Sequence, residues 1–167
     1  MANDSSPSTQ TTPSGDYTSH LQAGNALVAQ AQTVAVSDFA KARSLWQDAG
    51  KQFYLAHKAD RDEPDAAFKL AQAWMAEAHA LQKEGSPNAA IMWGNAAAQA
   101  ELAFDLTPEN ARIAMAIASC HHWAGDEESA QAWAQIAQHL KAPHQGDPGG
   151  GHSDADGDSD GGDGAGD

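Results

Sequence analysis

The sequence predicts an all-α protein of about six helices, paired as antiparallel hairpins and stacked in a short superhelix. Three observations carry that expectation. From Tyr17 to Lys141 the chain is rich in Ala, Leu, Gln, Glu and Lys, all strong helix formers. Val, Ile and Thr never alternate with polar residues there, as a half-buried strand requires. Apolar residues instead recur at helical spacings, and Gly, Pro, Ser and Asp punctuate them into six segments.

The first segment, Tyr17 to Val36, aligns Tyr17, Leu21, Gly24, Val28, Ala31 and Ala35 on one face. The second, Asp38 to Ala59, carries Phe39, Ala42, Trp46, Ala49, Phe53 and Ala56, with Ser37 as the expected N-cap. "DRDEPD" breaks the chain, and a third helix follows from Pro64 to Glu84, with Ala67, Leu70, Trp74, Ala78 and Leu81 inward. Gly85 is its expected C′ residue. Ser86-Pro87 is the expected start of the fourth helix, whose stripe is Ala90, Trp93, Ala97, Ala100 and Phe104. Thr107-Pro108-Glu109 is read as the same start signal for the fifth, with Ile113, Ile117, Cys120 and Ala124 inward. Gly125 ends that helix and Asp126 caps the sixth, where Glu127 and Glu128 suit the positive end and Ala130, Trp133, Ala137 and Leu140 face inward. Short loops make such neighbours antiparallel, which fits a four-helix-type bundle as well as a stack of hairpins.

The ends differ from this middle. Residues 1–16 are polar and rich in Ser, Thr and Pro; residues 142–167 contain seven Asp, no Lys or Arg and no large apolar side chain. Neither segment has the apolar surface to offset the entropy of ordering, so both are expected to be disordered. Of the net charge of −14, the tail supplies −7 and the arm −2, while 17–141 holds 14 acidic and nine basic residues. Such acidity repels nucleic acid phosphates and anionic lipid, and suits a basic protein partner, a cation or simple solubility. The single cysteine, Cys120, allows no intrachain disulfide and no Cys-based zinc knuckle. No apolar run is long enough to span a membrane, and the first residues carry no charged and then apolar signal pattern. A cytoplasmic location is therefore expected.

"AFDLTPEN", Ala103 to Asn110, resembles the close of a tetratricopeptide (TPR) repeat, and the next such proline lies at the end of "ARIAMAIASCHHWAGDEESAQAWAQIAQHLKAP". In that register Ala118 holds the small position of a first helix, Gly125-Asp126 the turn, and Ala130 and Ala137 the small positions of a second. "WQDAGKQF" (Trp46, Gly50, Phe53) and "WMAEAHAL" (Trp74, Ala78, Leu81) resemble first helices too. The resemblance is strongest over 87–142. The fourth helix is too long for a standard second helix, and Ala134 stands where an aromatic is usual. The pairing of the first three helices stays open between second with third and first with second.

Chemistry is sparse. "CHHW" offers Cys120, His121 and His122, but adjacent helical residues point about 100° apart and cannot share one ion. No HExxH, nucleophile elbow, phosphate loop or haem-attachment motif is present, so no enzyme is expected. The tail stretch "DGDSDGGDGAGD" resembles an EF-hand loop outline, with Asp156, Asp158, Asp160 and Asp167 as ligand candidates for weak Ca2+ binding. It lacks flanking helices and has Asp rather than Glu at the last position. A solubilising acidic tail is the simpler expectation, and no cofactor is required.

The TPR resemblance implies a non-enzymatic protein–protein interaction module, an adaptor, scaffold or chaperone that takes a partner peptide or helix in its groove. Asn95, Gln99, His121, Gln131 and Gln135 are the polar contact candidates that its register implies. Size, acidity and three hairpins are also similar to the TPR-type chaperones of type III secretion translocators. A calcium- or metal-responsive protein acting through the tail is the second class. Helices with exposed Trp or Ile pairing between chains is a further one.

Overall fold

The computed structural model describes residues 15–141, which form six α-helices and no strand. They are α1 (Gly15–Val34), α2 (Phe39–Ala59), α3 (Pro64–Lys83), α4 (Ala89–Leu106), α5 (Ala111–Ala124) and α6 (Glu127–Lys141). The acidic tail lies outside the described residues, as does the polar arm up to residue 14; its last two positions, Gly15 and Asp16, open α1.

Packing is serial, each helix lying mainly against those before and after it, with α1 heaviest on α2 and α3 on α4. Of the two pairings left open, first with second is the more extensive, and second with third is in contact as well. Four buried groups run through the series, the first joining Tyr17 of α1, Ala56 of α2 and Ala66 of α3. Phe53 and Ala49 of α2 meet Leu70 and Ala73 of α3, with Leu21, Leu27 and Val28 of α1 against them. Ala67 and Ala71 of α3 meet Ala100 and Ala103 of α4 and Ile113 and Ile117 of α5, with Phe104 and Trp133 edge-to-face at 5.0 Å beside them. Nearer the other end, Ala78, Trp93, Ala96, Ala97 and Cys120 form the fourth group. Alanine allows close helix approach, and single large residues fill the space between layers. The tightest approach is at Gly24, where an added Cβ would stand 2.4 Å from Cε1 of the buried Phe53.

The helix ends follow the stop signals more faithfully than the start signals. Gly85 (φ 68°) and Gly125 (φ 89°) close α3 and α5 in the left-handed region that glycine enters without strain. At both, the next residue's N–H returns to the carbonyl five residues earlier, Ser86 to Leu81 at 2.9 Å and Asp126 to His121 at 2.9 Å, the Schellman pattern. Asp126 then caps α6 through Oδ1, which accepts from the Ser129 N–H at 3.1 Å.

Three starts differ from expectation. Asp38, not Ser37, caps α2, accepting from the Lys41 N–H at 2.9 Å, while the Ser37 hydroxyl donates back to the Val34 carbonyl. Ser86-Pro87 and Thr107-Pro108 do not begin helices. Each proline is the second residue of a tight turn, closed by Ala89 N–H to the Ser86 carbonyl (3.2 Å) and by Asn110 N–H to the Thr107 carbonyl (3.1 Å). Proline's fixed φ suits that turn position as well as a helix's first residue, so the same signal marks both. Helix α5 is capped by Asn110, whose Oδ1 accepts from Arg112 and Ile113 N–H. Ala90, placed inward by the earlier start, is exposed, and Ala89 is buried instead.

Candidate functional site

The serial packing brings side chains far apart in sequence into one concavity. Helix α1 presents Asn25, Val28 and Gln32 at i, i+3 and i+7, a single face. Helix α3 presents Lys69, Gln72 and Ala76 with the same spacing. Trp46 and Phe53 of α2 line it between them, and Arg112 enters from the first turn of α5. Together they enclose about 430 Å³.

Both cations of this groove lean on aromatic rings. Lys69 Nζ lies 6.0 Å from the centre of the Phe53 ring, and the Arg112 guanidinium carbon lies 5.8 Å from that of Phe68. Asp65, one helical turn before Lys69, approaches it only to 4.0 Å, and Arg112 has no ion pair among the described residues. A cation in the first turn of a helix opposes the macrodipole, so the charge of Arg112 gains nothing from its place in α5. No Asp or Glu lines the groove, and its other polar atoms are the amides of Asn25, Gln32 and Gln72. It has an aromatic wall, neutral donors and acceptors, and local positive charge within an acidic protein.

Arg112 also lines a second, broader cavity of about 930 Å³ under the α4–α5 turn, with Asn110, Met115, Glu109 and Lys141. The two spaces meet at that one side chain.

The five residues singled out from sequence are dispersed, and none lines the groove. Asn95 is exposed on α4, and Gln99, one turn on, is buried with its Nε2 unpartnered. Gln131 and Gln135 are exposed on α6, where Gln131 borders a shallow cavity of about 290 Å³ beside Ser119, His122 and Trp123. His121 is half-buried and ties three elements together. Its Nε2 donates to Glu101 Oε1 of α4 at 2.8 Å, and its Nδ1 lies 3.5 Å from Asp126 Oδ2. The Ser129 hydroxyl and N–H, and then His121, hold the Asp126 carboxyl below the usual carboxylate range. Asn95 and Gln99 are on α4 and Gln131 and Gln135 on α6, whereas the groove is lined mainly by α1 and α3. Asn25, Gln32, Lys69, Gln72 and Arg112 are not marked by any motif, and only the packing order of the helices groups them.

Cys120, His121 and His122 point three ways, Cys120 into the core, His121 to Glu101 and His122 to Glu127. Among the described residues no three His, Cys, Asp or Glu are grouped to hold a metal ion. The calcium candidates Asp156, Asp158, Asp160 and Asp167 lie outside the described residues. No helix among the described residues is long and apolar enough to cross a membrane.

Two buried acids of the core have a measurable consequence. Burial pushes the Cys120 thiol up to about 12 from 9.0. Burial, then Asp65, Glu63 and Asp60, push the Tyr17 hydroxyl up to about 12 from 10.0. Both groups stay neutral in the fold while the unfolded chain ionises, so their contribution is whole below pH 9 and is lost between 9 and 12. Urea unfolding at pH 8 and pH 11 reads it directly, and Cys120→Ala is expected to flatten the decline between them.

No protein-family model matches the chain, and no curated protein matches it either.

Proposed function

We propose that the domain is a non-enzymatic binding module, TPR-like in arrangement, that holds an extended segment of a partner protein in the groove between α1, α2, α3 and α5. The observation that carries this reading is the groove lining itself. Neutral amides can meet the main chain of an extended peptide, Trp46, backed by the buried Phe53, offers an apolar wall for a side chain, and Lys69 and Arg112 supply charge. The expectation of a basic partner came from the charge of the whole chain. The lining has two cations and no carboxylate, which favours a segment carrying Asp or Glu beside one Leu or Phe. Adaptor, scaffold and chaperone are all roles for such a module.

Fluorescence anisotropy with a short labelled peptide of that composition tests the reading, set against the same peptide with Lys in place of its acids. Arg112→Glu is expected to weaken the acidic peptide about tenfold, since a rim charge contributes about 0.2–1 kcal/mol and reversal both removes and opposes it. Asn95→Ala and Gln135→Ala, away from the groove, are expected to change nothing. Equal binding of the two peptides, or indifference to Arg112→Glu, would sink the proposal.

A further inference from the structure

The second cavity poses a question that the groove does not answer. Arg112 and Lys141 both line it, and neither makes an ion pair among the described residues. Of the other seven cations three are ion-paired: Arg43 with Glu84 at 2.8 Å, Lys51 with Asp48 at 2.8 Å and Lys69 with Asp65 at 4.0 Å. Glu109 is the single carboxylate in the lining. Exposed charges beyond about 8 Å are screened at physiological salt, so the acidity of the rest of the domain does not cancel this local field.

The chain continues from Lys141 itself, at the rim of this cavity, with 26 residues that carry seven Asp and no Lys or Arg. From Asp154 to Asp167 the Asp residues are separated only by Gly, Ser and Ala. Twenty-six residues can span at most roughly 90 Å, ample to reach Arg112, which lines the same cavity as Lys141. Tethering gives the Asp residues a local concentration of about millimolar, enough for weak charge attraction to hold them in place.

We propose that residues 142–167 are a built-in acidic ligand of the Arg112–Lys141 surface and compete there with the partner segment. The inference rests on the groove reading only for the competition; the docking stands on the unpaired cations and the charge of the tail. A partner must then displace the tail to use Arg112, and its apparent affinity falls by the fraction of time the tail is bound. Met115 in the lining offers apolar contact that the tail cannot use, which leaves a partner with a Leu or Phe the means to win.

The experiment uses the full chain. Ser159→Cys is labelled with a nitroxide; Cys120 is buried and its thiol neutral, so the introduced cysteine reacts alone. Paramagnetic broadening of backbone amides is compared with that in a chain whose seven tail Asp are changed to Asn, which has the same reach without the charge. Docking predicts extra broadening around Arg112 and Met115, abolished by Arg112→Glu with Lys141→Glu and by 0.5 M NaCl. Identical profiles for the Asp and Asn tails would overturn it. The labelled acidic peptide is then titrated into both chains. Roughly fivefold tighter binding to the Asn-tailed chain supports competition, and equal binding refutes it. Peptide binding to neither chain would count against the groove, while the broadening would still decide the docking.

Discussion

Phe53→Ala is expected to lower the melting temperature by roughly 10–20 °C, the largest single effect available in this fold, from a loss of about 3–5 kcal/mol. Phe53 is 2 % exposed and is among the few large side chains fully enclosed in a core built mostly of alanine. It joins three helices, meeting Gly24 of α1 and packing with Leu70 and Ala73 of α3. Short alanine side chains cannot reach into the space it leaves, so relaxation recovers little. Gly24 supplies an internal control with a change of sign. In the native chain, Gly24→Ala gains about 1 kcal/mol of helix propensity and loses about 1–3 to overpacking against a ring with nowhere to move. In the Phe53→Ala background the ring is gone, and the same substitution is expected to stabilise. Thermal melts of the two singles and the double close the cycle; a destabilising Gly24→Ala in both backgrounds would show that the close approach is not what constrains position 24.

Trp46→Ala is expected to cost the acidic peptide about 30-fold or more in affinity, the scale of a buried aromatic anchor in an interface. Trp46 is half-buried and packs edge-to-face on Phe39 at 6.1 Å, so its ring is held in place while one side faces the groove. It also borders a neighbouring cavity of about 380 Å³ with Tyr54 and Trp74, so the apolar wall extends past the groove proper. Trp123 provides the contrast. It is half exposed and stacks on Trp93 at 6.3 Å on another part of the molecule. Trp123→Ala is expected to leave peptide affinity unchanged. Equal losses for the two tryptophans would point to a general loss of order rather than to a site.

The helices were legible because their evidence is local. A stripe such as Leu70, Trp74 and Ala78 needs one helix to be read, and Gly85 and Gly125 end their helices wherever the rest of the chain goes. The starts were less legible because proline before an Ala-rich run suits two backbone geometries, and only the hydrogen bonds of Ala89 and Asn110 separate them. The groove was not legible at all. Asn25 and Arg112 lie 87 positions apart, and the order in which the helices pack, not any motif, puts them on one wall. The TPR register drew attention to amides such as Gln99 and Gln131, which are conspicuous in sequence and sit on α4 and α6.

Serial packing also bears on how the chain comes to be folded. Most contacts are local and the rest join helices adjacent in sequence, so contact order is low and loop-closure entropy is modest. Each terminal helix is held from one side only, whereas α3 and α4 are held from both. Opening should therefore start at the outer helices, and amide exchange should be slowest along Leu70 to Ala78 and Trp93 to Ala103. The groove takes one wall from α1 and its Arg112 from α5, so its geometry depends on elements that open before the centre does. Anything bound across it would act as a splint.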